Sequence, residues 1–195
     1  MSKGDRVLIT SKGQYKEYVK TDMLANNILE WKWTHRFSRP IIRFQLLLRK
    51  VEYYKNCRTD LLGKIYFKFL MVRFVKMSVN LGFSIPPNVF GKGLSIAHYG
   101  SIVVNGNCNI GENCRIHSAT NIGEAKGLSP SIGNNVYIAP GAKIIGGITI
   151  GDNVAIGANA VVLKDVPDNV TVGGIPAQII SDKGSKGLLV DIIEQ

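Results

Sequence analysis

Cysteine and histidine are both scarce in this chain, three of each in 195 residues. Cys57, Cys108 and Cys114 form no C-x-x-C pair. Three such thiols do not suggest a disulfide framework. They read as small buried apolar residues of a reducing compartment. No apolar run is long enough for a membrane-spanning helix, so none is expected. The opening "MSKGDRVLITSKGQ" has no signal-peptide hydrophobic run. Acidic residues are scarce in one half only. Residues 1–82 hold 6 Asp and Glu against 17 Lys and Arg, whereas residues 83–195 hold 8 against 7. The formal net charge of +10 is therefore an N-terminal property. Such a split marks two parts with different tasks.

The basic part, residues 1–82, has helix-compatible composition and no close repeats. "QYKEYVKTDMLANNILEWKW" is one expected helix. Pro40 suits a helix start, and "PIIRFQLLLRKVEYYKN" then spaces Ile41, Phe44, Leu48 and Val51 by three and four. "DLLGKIYFKFLMVRFVKMSVNLG" follows, with Asp60 as N-cap and Gly82 as C-cap. Basic residues interleave with Phe, Tyr and Leu. The pattern suits helices packing on a neighbour, with peripheral membrane contact as an alternative. Nucleic acid is not the expected partner. His35 lies here and is given no role.

From Val104 the sequence reads in sixes: "VNGNCN / IGENCR / IHSATN / IGEAKG", an interruption, then "IGNNVY / IAPGAK / IIGGIT / IGDNVA / IGANAV / VLKDVP". The first position is Val or Ile every time. The fifth is usually small or β-branched: Cys108, Cys114, Thr120, Val136, Ala142, Ile148, Val154, Ala160, Val166. The second is often Gly. An ordinary strand has period two and a helix 3.6, so neither predicts six. Each hexad is a short strand plus a tight turn, and three hexads make one triangular coil. Position one fills an aliphatic core, and Gly and Asn are expected at corners that need positive φ. Counting back in sixes from Ile116 through Ile110 and Val104 lands on His98. A histidine is thus expected in a slot that later units give to Val or Ile.

"IPPNVFGKGLSIAHYGSIVVNGNCNIGENCRIH" and "IGDNVAIGANAVVLKDVPDNVTVGGIPAQII" resemble the hexapeptide-repeat acyltransferase superfamily. The likeness is to its serine acetyltransferase-like branch, which includes polysaccharide-cluster O-acetyltransferases, and it covers roughly residues 84–180. It implies a mainly β fold: a left-handed parallel β-helix preceded by an α-helical region. The expected organisation is a basic helical region over 1–82, an acetyltransferase β-helix over 83–180 and a tail over 181–195. The handedness comes from the resemblance alone, since the usual crossover rule favours the opposite hand.

The resemblance puts the family's general base at His98. The chemistry needs one, because a hydroxyl is a poor nucleophile at neutral pH. A neutral imidazole can take its proton during attack on the thioester of acetyl-CoA and return it to the leaving thiolate. No cysteine sits in an obvious nucleophile context. His117 is expected one coil plus one step beyond His98, either lining the acceptor pocket or at the surface. "GEAKGLSPS" breaks the period and reads as an extruded functional loop. By resemblance the second half holds the CoA groove. Gly141, Ala142, Gly157 and Ala160 would lie against pantetheine, Lys164 near a phosphate, and Gly174 and Pro176 near adenine. No metal is expected. A zinc carbonic anhydrase shares this β-helix but needs three histidine ligands, and only His98 and His117 lie in the repeat.

The sequence departs from serine acetyltransferases at several points. They carry an aspartate directly before the base, where this chain has Ala97. A second, orienting aspartate falls near Ser84. Their loop carries Arg-His before a proline, where this chain has Leu128 and Ser129. A free amino acid wants charged partners, so a sugar hydroxyl is the favoured acceptor and serine the alternative. Ser84, Asn88, Asn105 and Ser129 are the acceptor-site candidates, with the first three also candidates to orient His98. The resemblance further implies a homotrimer, or a dimer of trimers, acting in the cytoplasm or at the inner membrane face. A non-catalytic trimeric scaffold is the reading from another class.

Overall fold

The structure, a computed structural model, describes residues 8–190. Four helices come first: α1 (Lys12–Ala25), α2 (His35–Ser38), α3 (Pro40–Cys57) and α4 (Leu61–Leu81). A three-faced parallel β-helix follows. One face stacks β1 (Phe83–Ser84), β3 (Ile102–Val104), β6 (Asn121–Gly123), β9 (Lys143–Ile145) and β12 (Val161–Val162). A second stacks β4 (Asn109–Ile110), β7 (Ser131–Ile132) and β10 (Thr149–Ile150). The third stacks β2 (Ser95–Ile96), β5 (Arg115–Ile116), β8 (Tyr137–Ile138), β11 (Ala155–Ile156) and β13 (Thr171–Gly174). The hairpin partner β14 (Ala177–Ser181) runs antiparallel to β13 and ends that sheet.

The hexad dictates the core. Ile116, Ile138 and Ile156 align in one register, and Ile122, Ile144 and Val162 in another. All six are buried. Each fully buried aliphatic side chain contributes about 1.5–3 kcal/mol. The fifth positions form a second inward row, with Cys108, Cys114, Thr120, Val136, Ala142, Val154 and Ala160 all at most 1% exposed. Val166 departs from this row. It bridges Ile150 and so takes a first-position slot, because the last crossing falls short of three full hexads.

Both Gly and Asn stand at corners with positive φ, as the sequence leads one to expect, Gly93 at 81° and Gly141 at 77° among them. The second-position glycines do not need positive φ; they let coils approach. A Cβ on Gly111 would lie 2.7 Å from the carbonyl oxygen of Gly133, and one on Gly133 would lie 2.8 Å from that of Gly151. One corner row is asparagine at positive φ: Asn113, Asn135, Asn153 and Asn169 lie at 55–62°. Asparagine is among the few side chains that tolerate this region. Their amides form a ladder, each Nδ2 donating to the next Oδ1 at 3.0, 2.9 and 2.9 Å.

The helices close the first coil. A solenoid's terminal coil carries backbone groups with no further coil to bond, so it needs a cap. Arg49 on α3, fully buried, supplies it. It donates to the carbonyls of Phe90 (2.9 Å) and Gly91 (2.6 Å) and to Asp22 and Glu52. Asp22 on α1 accepts the N–H groups of Gly93 and Leu94, and Glu52 that of Asn88. Gln45 and Asn26 both donate to the Leu94 carbonyl. Each carboxylate thus meets donors on two sides, which makes a buried ion group tolerable.

Several helix features match the sequence reading. Phe44, Leu48 and Val51 are fully buried, Pro40 stands in the first turn of α3, and Asp60 and Gly82 cap α4. The first helix is shorter than expected. It stops at Ala25, where the Asn26 N–H turns back to Met23 O and the Asn27 N–H to Leu24 O, with Asn27 at φ 57°. Helix α4 exposes Leu61, Leu62, Ile65, Phe69, Val72 and Val79. Among the described residues no helix is long and apolar enough to cross a membrane.

Candidate active site

The core slot of the first coil belongs to Ile96, which pairs with Ile116, and not to His98. Counting in sixes misplaces the histidine because the first coils are longer than three hexads. Ile96 and Ile116 are 20 apart. Val104, the residue that pairs with Ile122, lies more than one hexad after Ile96, whereas Ile122 lies one hexad after Ile116. The extra length pushes His98, Tyr99, Gly100 and Ser101 outward at the corner. His98 is exposed there, which spares an ionisable ring the cost of a dry core. The end of α4 holds this corner: the Gly100 N–H donates to Leu81 O at 2.9 Å and that of Ile102 to Gly82 O at 3.1 Å.

His117 lies on the next coil, one coil minus one step from His98. Its ring centroid is 6.0 Å from that of His98 and 5.2 Å, edge-on, from that of Tyr137. Its Nε2 is buried without a hydrogen-bond partner among the described residues. Burial, then the Arg115 charge, then His98 hold its pKa below the ordinary imidazole value. At neutral pH His117 is therefore uncharged.

The corner that carries these histidines runs the length of the solenoid. The Ala97 N–H donates to Ile116 O, His117 to Ile138 O, Ala139 to Ile156 O and Gly157 to Val172 O. Gly141, Ala142, Gly157 and Ala160 lie along this corner on later coils, and Gly174 and Pro176 stand at its end in the β13–β14 turn. The N–H groups of Gly141, Ala142, Gly157 and Ala160 are engaged within the solenoid, with Ser118, Ala139, Val172 and Gly157 as acceptors. Lys164 is exposed just beyond β12, at the following corner.

The acceptor candidates separate into three places. Asn105 and Ser129 meet, with the Ser129 hydroxyl 3.3 Å from Asn105 Oδ1, at the foot of the extruded loop. The loop folds as a tight turn, Ala125 and Leu128 bonding each other across it. Ser84 is exposed on β1, level with Val103. Asn88 has a structural task, its amide exchanging hydrogen bonds of 3.0 Å with Asn56 on α3.

Residues that motif reading passed over complete the site. A cavity of about 340 Å³ opens beside His98, lined also by Arg115, Tyr99, Ser95, Arg39 and Ser38. Arg115 occupies the outward position before Ile116 and pairs in register with Tyr137. Its Nε is buried and unpartnered among the described residues. Its hexad position was visible in the sequence, but the interrupting loop puts Tyr137 more than three hexads away and hides the alignment. Burial pushes the Cys114 thiol up to about 12, which leaves it no nucleophilic character at neutral pH. Among the described residues no group of His, Cys, Asp and Glu is placed to hold a metal.

Comparison with known proteins accords with this architecture. Residues 129–164 match the family described as bacterial transferase hexapeptide (six repeats). A serine acetyltransferase from Brucella abortus strain S19 is 25% identical with a TM-score of 0.68, over 89% of this chain and 72% of that one. A serine acetyltransferase in complex with CoA is 25% identical with a TM-score of 0.69, over 87% and 71%. The serine acetyltransferase of Neisseria gonorrhoeae is 26% identical with a TM-score of 0.63, over 88% and 67%. A search among curated proteins finds no match. With the period-six core and the left-handed winding that hexapeptide repeats imply, these likenesses support an acyltransferase similar to the serine acetyltransferases of the hexapeptide-repeat kind.

Proposed function

We propose that the protein transfers acetyl from acetyl-CoA to a hydroxyl, with His98 as general base. The observation that carries this is the outward placement of His98, at the mouth of a cavity and at the foot of a corner with small side chains. His98 takes the hydroxyl proton as that oxygen attacks the thioester carbonyl. Collapse of the tetrahedral intermediate breaks the C–S bond, forms the O-acetyl ester, and leaves a thiolate that receives the proton from His98. His117, neutral and 6.0 Å away, presents a ring to the same space. The pantetheine arm would run along the corner past Gly141, Ala142, Gly157 and Ala160 towards Gly174 and Pro176, with Lys164 near a phosphate. The CoA-bound serine acetyltransferase among the similar structures supports that cosubstrate.

A sugar or polysaccharide precursor is the acceptor favoured by Ala97 and Leu128, which stand where the resemblance expects an aspartate and an arginine. Serine is the second reading, favoured by the three serine acetyltransferases. Thiol release with free serine against a panel of sugars tests both. No release with any acceptor refutes acetyl transfer. A homotrimer in the cytoplasm is the assembly that goes with this reading, and light scattering at micromolar protein tests it. The basic helices and the apolar side chains of α4 support peripheral contact with an inner membrane face, tested by flotation of the full chain with anionic liposomes.

A further inference from the structure

Helix α4 is apolar on two sides, and only one of them is covered. Its inner face buries Leu70 and Phe74 in the core, and Phe74 stacks on Phe44 of α3. Its outer face exposes Leu61, Ile65, Phe69, Val72, Val75 and Val79, each by 53–74%. Steps of three and four residues keep all six on one side of a helix with about 3.6 residues per turn. They form a stripe along almost the whole of α4. An apolar stripe of that extent is the kind of surface that marks a docking face.

Charge decides what kind of partner covers it. Lys64, Lys68 and Lys76 are exposed within or beside the stripe. Arg73 is exposed at its edge, the guanidinium carbon 5.7 Å from the centroid of the Phe69 ring. Helix α4 contains no Asp or Glu. Among the described residues none of these cations has an ion-pair partner. Two copies related by a twofold axis would set the cations against one another. A bilayer with anionic headgroups instead offers an apolar interior to the stripe and a negative plane to the lysines, whose long stems reach it from the stripe's edges. An aromatic segment lies alongside. Trp33 and Phe37 are 74% and 69% exposed, and Trp31, Trp33 and Arg36 share a cavity with Arg73 and Met77 of α4. Tryptophan favours the level of the headgroups. Because its inner face packs on α3 and β1, α4 can lie in such a surface but not cross it.

We infer that α4 docks flat on an anionic lipid surface through this stripe, with Lys64, Lys68, Arg73 and Lys76 at the headgroups and Trp31 and Trp33 at the edge. This rests on the reading of peripheral membrane contact and names the face and the lipid chemistry that the contact uses.

The test sediments the full chain with two vesicles, phosphatidylcholine alone and phosphatidylcholine with phosphatidylglycerol. Binding should be confined to the anionic vesicle and should weaken as salt is raised. I65S/F69S/V72S should weaken it about tenfold or more by loss of apolar burial, and K64Q/K68Q about tenfold by loss of charge. All five positions are exposed, so the Tm of each variant should stay close to wild type. K64Q/K68Q keeps the test open should the triple variant not fold. Trp31 and Trp33 are the chain's two tryptophans, so their emission should shift to the blue on the anionic vesicle alone. Binding to neither vesicle overturns membrane contact and this inference together. Binding that both variants retain overturns the inference alone, as does equal binding to the two vesicles or binding that leaves the emission unmoved. Assembly in solution that I65S/F69S/V72S breaks up gives the stripe to a second copy, and that too overturns the inference.

Discussion

The imidazole rings of His98 and His117 lie 6.0 Å apart on adjacent coils, one exposed and one half-buried. Environment divides their work. The exposed ring is open to solvent at the mouth of the cavity. The half-buried ring is held neutral by desolvation and by Arg115. H98A should therefore lower acetyl-transfer kcat by about 10²–10⁴-fold, the usual worth of a general base. Its Tm should stay within about 3 °C of wild type, as for other exposed positions. Thiol-release kinetics and a thermal melt on the same preparation check both halves.

His117 makes stability depend on pH. Its pKa in the folded chain lies below the ordinary value near 6.5. Between those two values the unfolded chain binds more protons than the folded one. Stability present at pH 7 is therefore lost as pH falls through about 6.5 towards the folded pKa. The Tm of wild type should drop more steeply between pH 7 and pH 5 than that of H117L. Parallel slopes would show that the ring titrates normally.

Arg49 is the latch between helices and solenoid. R49A leaves two buried carboxylates and two carbonyls without their donor, and should cost about 3–5 kcal/mol in urea unfolding. R49M, which restores apolar volume but not charge, should not rescue it while Asp22 and Glu52 remain. A cost below about 1 kcal/mol would mean that water replaces the guanidinium.

Asn135 separates two contributions at a corner. N135G keeps the positive φ and loses the ladder bonds to Asn113 and Asn153, a loss of about 1–2 kcal/mol. N135A loses the same bonds and adds the left-handed penalty of about 1 kcal/mol. Denaturant midpoints should rank wild type above N135G and N135G above N135A.

Thiol chemistry should play no part in turnover. Cys114 is fully buried with its thiol pushed up to about 12. C114A should keep acetyl transfer, and in native protein a thiol reagent should label Cys57, which is only half-buried, well before Cys114. Loss of activity in well-folded C114A would point to an acetyl-enzyme.

Much of the fold is written in the sequence because its core is local and periodic. Val or Ile at every sixth position defines three inward rows, small residues two positions back define the second set, and asparagine marks the corners where the chain turns left-handed. His98 also stood out, as a rare ionisable residue inside a repeat of small and aliphatic ones. Its slot could not be counted correctly. A lengthened coil changes the period without changing the residue types, so Ile96 and His98 exchange roles only when the strands are seen paired. Pairing likewise brings Arg115 beside Tyr137 and His117 beside His98, alignments that the lengthened coils conceal.

The sequence by itself determined a stack of hexapeptide coils with a dry aliphatic core, because neighbours in that core are a fixed number of residues apart. Tertiary structure alone decided what caps the first coil and what surrounds His98. Arg49 reaches Phe90 and Gly91, and Arg39 comes to the same cavity as Arg115, across separations set by how the helices lie on the solenoid's end. No periodicity records such contacts, since they come from the packing of two different kinds of structure rather than from the repeat of one.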